Sequence, residues 1–140
     1  MSDIVVVGAG LSGLTSARLL QKKGHSVVVL DKGRGLGGRM ATRRITAPDG
    51  SVALFDHGAQ FFTVRDQQFQ KLVDGWITDG VVREWCRGFV AEDGHPRYVV
   101  NNGMTALTKH IAQDVDVRTS TLVFAVKPCD ADPEKWTVVI

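Results

Sequence analysis

The sequence predicts an α/β fold that begins with a parallel sheet. Two short apolar segments, Ile4–Val7 and Val27–Leu30, show no polar alternation, which is typical of strands buried on both faces. A stretch with helical spacing, residues 14–23, lies between them and is followed by Gly24, a residue that commonly ends helices. Strand, helix and strand therefore follow one another at the start of the chain.

The turn after the first strand has the pattern Gly8-x-Gly10-x-x-Gly13. In this pattern Gly8 permits a tight turn, Gly10 lets a pyrophosphate approach the main chain, and Gly13 lets the helix pack on the strands. The N-terminus of the helix then presents free N–H groups to the phosphates. The strand before the turn and the helix after it indicate a Rossmann-type dinucleotide-binding unit rather than a kinase loop, because no kinase motif follows.

The second strand ends at Asp31, 18 residues after Gly13. A carboxylate at this position is placed to accept hydrogen bonds from the hydroxyls of an adenosine ribose. The same negative charge would repel a 2′-phosphate, which disfavours NADP at this site. The sequence thus predicts a ribose-binding role for Asp31.

A second glycine-rich loop, with Gly37, Gly38 and Arg39, follows Asp31. An NAD-binding unit does not need this loop, but an extended flavin dinucleotide can be held by it from the opposite side. The glycines allow close approach, and a guanidinium neutralises phosphate charge. Residues 32–48 contain no acid and five basic residues, namely Lys32, Arg34, Arg39, Arg43 and Arg44.

The middle of the chain predicts antiparallel strands and one amphipathic helix. Residues 43–47 and 52–55 flank the turn signal Pro48-Asp49-Gly50-Ser51, which indicates a hairpin. Residues 66–79 have apolar residues at helical spacing and should bury Phe69, Leu72, Val73, Trp76 and Ile77. Trp85 and Trp136 are also expected in the core. Further strands are predicted at residues 81–85, 89–91, 97–100, 115–117, 122–126 and 136–140, and a helix from Thr105 to about Gln113.

The composition is that of an ordinary globular protein. The chain has 140 residues, of which 44% are hydrophobic, and a net charge of +2, so disorder is excluded. No apolar run reaches the roughly 20 residues of a membrane span, and the N-terminus lacks a signal-peptide pattern. We therefore expect a cytoplasmic protein without a membrane partner. The near balance of 17 basic and 15 acidic residues gives no indication of nucleic-acid binding.

The two cysteines, Cys86 and Cys129, lack the spacing of a metal site, and the histidines are scattered. No metal site is predicted. Reduced thiols are the favoured interpretation, with a disulfide left open. The chain also stops inside a predicted strand, which suggests the N-terminal portion of a longer protein whose C-terminal half is missing.

Three segments together resemble the flavin-dependent amine oxidase superfamily. These are Gly8–Gly13, the segment from Asp31 to Met40, and Asp56-x-Gly58-Ala59-Gln60-Phe61-Phe62-Thr63. The third is most similar to renalase-like bacterial members, as is the segment from Tyr98 to Leu107. Members of this family are more than twice as long, so residues 1–140 would form the N-terminal part of an FAD-binding domain. Residues 43–100 would contain the start of a substrate-domain-like insertion.

The resemblance implies non-covalently bound FAD and a set of residues that bind it. The first turn would hold the pyrophosphate, Asp31 the adenosine ribose, and the second loop the ribose and phosphates. Gln60, Phe61 and Phe62 would approach the isoalloxazine, and the backbone at Val123 would meet the adenine. The predicted cofactor-binding residues are Gly8, Gly10, Leu11, Ser12, Gly13, Asp31, Lys32, Arg34, Gly37, Gly38, Arg39, Met40, Gln60, Phe61, Phe62 and Val123.

The activity implied is FAD-dependent oxidation of a small molecule. The substrate, a dihydronicotinamide isomer or an amine, would pass a hydride to the flavin, and O₂ would reoxidise the flavin to give H₂O₂. No residue of the chain stands out as a catalytic base. Two alternatives stay open: a non-catalytic fragment that binds a dinucleotide or nothing, and an NAD(P)-dependent dehydrogenase.

Overall fold

The computed structural model describes residues 3–90 and 94–140 of the chain. The chain divides into two compact units. The first unit comprises Met1–Gly38 and Ala112–Ile140, and the second unit comprises Arg39–Ile111. The elements in chain order are β1 (Ile4–Val7), α1 (Leu11–Lys22), β2 (Val27–Leu30), a 3-10 turn (Gly38–Met40), β3 (Thr42–Thr46), β4 (Val52–Asp56), β5 (Phe62–Thr63), α2 (Gln67–Thr78), β6 (Val82–Arg87), β7 (Pro96–Val100), α3 (Thr105–Ile111), β8 (Asp116–Arg118), β9 (Ala125–Cys129) and β10 (Asp132–Val139).

The first unit is built on a parallel sheet with the strand order β1-β2-β8. Val5 lies opposite Val28, and Val29 opposite Val117, so the apolar strands align in register. Leu14 and Ala17 of α1 are fully buried. The predicted Rossmann-type strand–helix–strand unit is therefore confirmed.

The burial predicted for the two N-terminal strands is correct for β2 and wrong for β1. All four residues of β2 are buried, whereas Val7 of β1 is 58% exposed. The physical reason is position, because β2 lies between two strands and β1 pairs with β2 alone among the described residues.

Helix α1 begins three residues earlier than the spacing of its apolar side chains predicts. Gly10 has an extended backbone (φ −80°, ψ 177°) and is the N-cap, without a side-chain hydrogen bond. The helix therefore starts inside the glycine motif, at Leu11. It ends as predicted, since Gly24 follows with a φ of +91°, a conformation that glycine adopts at little cost.

Strands β9 and β10 form a two-stranded antiparallel sheet at the end of the first unit. β9 starts at Ala125, so the strand predicted over 122–126 begins three residues later than expected. Trp136 of β10 is 65% exposed, and its predicted place in the core is wrong. A hairpin with alternating side chains needs a second layer on its apolar face to bury a tryptophan, and the sequence pattern alone does not indicate whether one is present.

The second unit combines the hairpin β3–β4 with a three-stranded antiparallel sheet of order β5-β7-β6. The predicted hairpin is confirmed, with Thr42 opposite Asp56 and Thr46 opposite Val52. Helix α2 buries Val73 and Trp76, while Leu72 and Ile77 are exposed. The buried stripe of α2 is thus narrower than the sequence predicts.

Two predictions for the three-stranded sheet are wrong. Phe89 and Val90 form a bend instead of a strand, and Ala91 lies outside the described residues. The third strand is the two-residue β5, which is too short to give a periodic pattern. Trp85 is 50% exposed rather than in the core, and a register shift in β6, between Glu84 and Cys86, falls at this residue.

Within the described residues, both cysteines are present as thiols, and no helix is long and apolar enough to cross a membrane.

Candidate functional site

The turn between β1 and α1 lies at the carboxyl end of the parallel sheet and depends on two of its glycines. Gly8 has a φ of +103°, and its N–H donates to the carbonyl of Leu30 at 2.7 Å. A Cβ at Gly13 would collide with the carbonyl oxygen of Gly8. Gly8 is therefore required by the turn, and Gly13 by the packing of helix against strand, as the sequence predicts.

The beginning of α1 offers an anion-binding surface. The first N–H groups of a helix have no acceptor within it, and here Leu11, Ser12 and Gly13 occupy those positions. The cap residue Gly10 provides no side-chain acceptor, and a Cβ at Gly10 would meet no atom within 4 Å. Open space and unpaired donors therefore coincide at the positive end of the helix dipole.

The second glycine-rich loop contacts this turn through the main chain. The N–H of Gly37 donates to the carbonyl of Ala9 at 3.0 Å, and Gly10 and Gly37 form an isolated parallel bridge. A Cβ at Gly38 would lie 3.5 Å from the Cα of Gly10. The glycines of the two loops are thus neighbours, and the Cβ position of Gly38 points toward the backbone of Gly10.

Asp31 lies beside the same turn, and its side chain accepts hydrogen bonds from two main-chain N–H groups. Ala9 donates to Oδ2 at 2.6 Å and Gly33 donates to Oδ1 at 2.6 Å. The predicted ribose residue is half-buried, whereas Lys32 and Arg34 on either side of Gly33 are exposed. The sequence predicts the position of Asp31 but gives no sign of its hydrogen bonds to the two loops.

A third segment, which joins β8 to β9, completes this edge of the sheet. Thr121 N–H donates to the carbonyl of Asp31 and Ser120 N–H to that of Gly33, both at 2.8 Å. Ser120 has a φ of +54°, a conformation that non-glycine residues adopt rarely. Val123 follows this segment, is half-buried and lies outside any strand, so its predicted strand position is wrong. The chain pairs again only at Phe124, whose N–H donates to Val139.

The remaining predicted residues belong to the second unit. Arg39 is exposed and Met40 is buried. The main chain of Arg39 is held by the predicted third motif, because Ala59 N–H donates to its carbonyl at 2.8 Å and a Cβ at Gly58 would collide with that oxygen. The Gly58-Ala59 pair therefore has a structural reason: it packs against the backbone at Arg39.

Phe61 and Phe62 lie on opposite faces of the three-stranded sheet. Phe62 stacks on Tyr98 with ring centroids 5.6 Å apart and packs against Phe69 of α2. Phe61 lies among Trp85, Phe89 and the guanidinium of Arg97, on the face that α2 does not cover. Phe61 is thus on the open face, and Phe62 is part of the core under α2.

Gln60 is exposed and lines a hollow of about 350 Å³ on the second unit. The wall of the hollow is mostly apolar, with one carboxylate and one amide. Its lining residues are Leu54, Phe55, Asp56, Gln60, Trp85 and Val99. Trp85, which the sequence assigns to the core, is an accessible aromatic surface here.

Asp56 joins β4 to the start of α3, a role that the sequence pattern does not predict. Its Oδ1 accepts from the hydroxyl of Thr42 and from Met104 N–H at 2.9 Å. Thr105 N–H donates to the Thr42 hydroxyl at 3.0 Å, and Thr42 N–H donates to the Thr105 hydroxyl at 2.7 Å. The predicted helix therefore begins with Thr105 bonded to β3 rather than to its own first turn. In the sequence, the position of Asp56 two residues before Gly58 is the one feature that could have pointed to this role.

Cys129, at the end of β9, has a pKa that its surroundings shift. Main-chain N–H groups of Ala131 and, to a lesser degree, Asp132 lower the pKa of the Cys129 thiol. Hydrogen bonds of this kind favour the thiolate. Among the residues that the structure describes, no group of His, Cys, Asp or Glu could hold a metal ion.

A family model described as an NAD(P)-binding Rossmann-like domain matches residues 6–76, half of the chain. The chain belongs to this family. The matched residues include the first turn, Asp31, the second loop and the segment from Asp56 to Thr63, so the family assignment agrees with the observed geometry.

Individual relatives are oxidoreductases. The chain is 55% identical over 42 residues to an L-amino-acid oxidase from Echis ocellatus, covering 30% of this chain and 8% of the relative. It is 48% identical over 46 residues to flavin-containing monooxygenase FMO GS-OX-like 2 from Arabidopsis thaliana, covering 33% of this chain and 10% of the relative. The predicted relationship to flavin-dependent oxidoreductases is confirmed, while the renalase-like subgroup stays a prediction.

Among solved structures, OTEMO in complex with FAD and NADP superposes with a TM-score of 0.59 at 21% identity, covering 99% of this chain and 22% of that chain. This likeness supports the fold alone. The chain thus spans only a minor part of the length of the proteins it matches.

Proposed function

We propose that the first unit binds the ADP portion of FAD and that the protein is a flavin-dependent oxidoreductase. The observation that carries the proposal is the hydrogen bond from Gly37 N–H to the Ala9 carbonyl. It joins the second loop to the first turn at the carboxyl end of a parallel sheet, the usual position of a dinucleotide in such sheets. An NAD-binding unit needs only the first of these loops, so their contact favours FAD.

The residues fit a dinucleotide in charge and in space. Donors at the start of α1 and the open space at Gly10 suit a diphosphate. Each oxygen of Asp31 accepts one main-chain N–H and retains capacity for a ribose hydroxyl. The exposed Lys32 and Arg34 add positive charge beside the turn. Arg39 and Met40 follow as predicted flavin-side residues.

For the whole protein we propose the oxidation of a small molecule with O₂ as acceptor. Bound FAD would supply an acceptor for a hydride. The motif from Asp56 to Thr63 supports a renalase-like substrate, a dihydronicotinamide isomer, with an amine as the second choice. Gln60 and Phe61 are the proposed flavin-side residues of the second unit. We propose that residues 43–100 begin a substrate domain; cytoplasmic location stays a prediction.

An NAD(P)-dependent role is the second candidate. It is favoured by the description of the matching family as NAD(P)-binding. The carboxylate of Asp31 at the ribose position favours NAD over NADP within this alternative.

The experiment is a titration of the purified chain with FAD and, separately, with NADH. We expect retained visible absorption after gel filtration with FAD, and weaker binding of NADH. A Gly37→Val variant should lose FAD, because Gly37 has a φ of +126° that valine does not adopt without strain. Gly35→Ala is the control, since a Cβ at Gly35 meets no atom within 4 Å. Tighter binding of NADH than of FAD would favour the second candidate. If neither FAD nor NADH binds, the proposal is overturned.

A further inference from the structure

Asp31 makes more hydrogen bonds to main-chain groups than a ribose-binding residue requires. Besides the N–H groups of Ala9 and Gly33 on its carboxylate, its own N–H donates to the carbonyl of Arg118 at 3.0 Å. Its carbonyl accepts from Thr121. One residue thus joins the first turn, the second loop and the segment after β8.

The carboxylate is suited to this position by its chemistry. An ionised carboxylate is an acceptor on both oxygens, and its hydrogen bonds to N–H groups are stronger than neutral ones. The N–H of Ala9 belongs to the residue between Gly8 and Gly10. When this N–H is bound to Asp31, the orientation of the peptide unit between Gly8 and Ala9 is fixed. The next peptide unit, between Ala9 and Gly10, is held by the hydrogen bond from Gly37 N–H to the Ala9 carbonyl.

We infer that Asp31 is a positioning residue, which holds the first turn and the second loop in the conformation that receives a diphosphate. This inference rests on the proposed function, and it assigns to the carboxylate an effect on phosphate binding that does not pass through the ribose. Preorganised donors lose less entropy when a ligand binds, so the main-chain N–H groups gain affinity from the fixed turn.

Gly33 offers a way to disturb this arrangement without removing the carboxylate. A Cβ at Gly33 would lie 2.9 Å from Oδ1 of Asp31, so alanine there displaces the carboxylate from its N–H partners. A Cβ at Gly35 in the same loop meets no atom within 4 Å. Gly33→Ala and Gly35→Ala are therefore a matched pair.

The test compares two ligands that differ only in the ribose hydroxyls, ADP and 2′,3′-dideoxy-ADP, by calorimetry on the full chain. If Asp31 positions the turn, Asp31→Asn and Gly33→Ala should each raise the dissociation constant of both ligands about tenfold, which is the effect of one lost charge-assisted hydrogen bond. Gly35→Ala should leave both dissociation constants unchanged. If Asp31 acts only through the hydroxyls, dideoxy-ADP binds the wild type and Asp31→Asn equally, and the inference is overturned.

If the variants fail to fold, a measurement on the wild-type protein still tests the inference. In a ¹⁵N-labelled sample without ligand, the amide protons of Ala9 and Gly33 should exchange slowly with solvent, because both are bonded to the Asp31 carboxylate. Rapid exchange of both amides contradicts the inference. Failure of the wild type to bind ADP and FAD is a different outcome, because it overturns the proposed function itself.

Discussion

Single residues of the described structure show how close packing and hydrogen bonding select residue types. Gly58 has no space for a Cβ against the carbonyl of Arg39, and Gly103 has a φ of +87° with its Cβ position 2.5 Å from the methyl of Thr42. Gly103 thus borders the hydrogen-bonded network of Thr42, Asp56 and Thr105, whereas Gly58 packs against the backbone at Arg39. Thr42 is therefore constrained by the space beside Gly103 as well as by its hydrogen bonds.

Replacing Asp56 tests this network. Asp56→Ala leaves the Met104 N–H and the Thr42 hydroxyl without their acceptor, and we expect a loss of about 2–3 kcal/mol in the free energy of unfolding. Asp56→Asn keeps one carbonyl oxygen of the same shape and should lose clearly less. Urea denaturation measures both. Equal losses in the two variants would show that packing, and not the acceptor, is what Asp56 contributes.

The Cys129 thiol should react at lower pH than an ordinary cysteine. Donation from Ala131 N–H lowers its pKa, so the thiolate forms as the pH rises through this lower value. In a Cys86→Ser variant, the rate of alkylation by iodoacetamide is followed against pH. We expect its midpoint below that of an unstructured peptide with the same local sequence. A midpoint at or above that of the peptide contradicts the hydrogen bonding of the turn.

At the scale of elements, the periodicity of apolar residues predicted which helices and strands form better than it predicted where each one begins and ends. The predicted helix over 66–79 is observed as Gln67–Thr78, because Asp66 and Gly80 provide local signals at both ends. The predicted limits of α1 and β9 were wrong, since Gly10 caps α1 without a side-chain hydrogen bond and Leu122–Phe124 lie outside any strand. Short strands such as β5 depend on partners that are distant in sequence.

Helix α2 offers a quantitative test of its N-terminal signal. The Asp66 side chain accepts from Phe69 N–H at 2.8 Å. We expect Asp66→Ala to cost about 1 kcal/mol of stability, the usual effect of a lost N-cap. Asp74→Ala, on the exposed part of the same helix, should change stability by less than about 0.5 kcal/mol. Urea unfolding of both variants measures the two losses. Equal losses in stability would mean that the negative charge of Asp66, and not its N-cap hydrogen bond, stabilises the helix.

At the scale of the whole molecule, the sequence predicted the backbone geometry around the first turn better than the exposure of large apolar side chains. Gly8, Gly13, Gly37 and Asp31 were placed correctly relative to one another, because their roles follow from backbone geometry within a short stretch. The exposure of Trp85 and Trp136 could not be predicted, since an apolar pattern does not indicate whether a second layer covers it. The hydrogen bonds of Asp31 and Asp56 were missed for a related reason: each joins segments that only the fold brings together.

Ligand binding should protect the first unit selectively. ADP at a hundred times its dissociation constant adds about 2.7 kcal/mol to stability by mass action. Hydrogen exchange of the full chain should therefore slow at amides of the first turn and second loop, including Ala9, Gly33 and Gly37, whose hydrogen bonds define the proposed site. Adenosine, which lacks the diphosphate, is the control and should protect them less at equal concentration. Protection that is confined to residues 39–111, with the first turn unchanged, would place the nucleotide elsewhere and remove the basis for assigning the diphosphate to the start of α1.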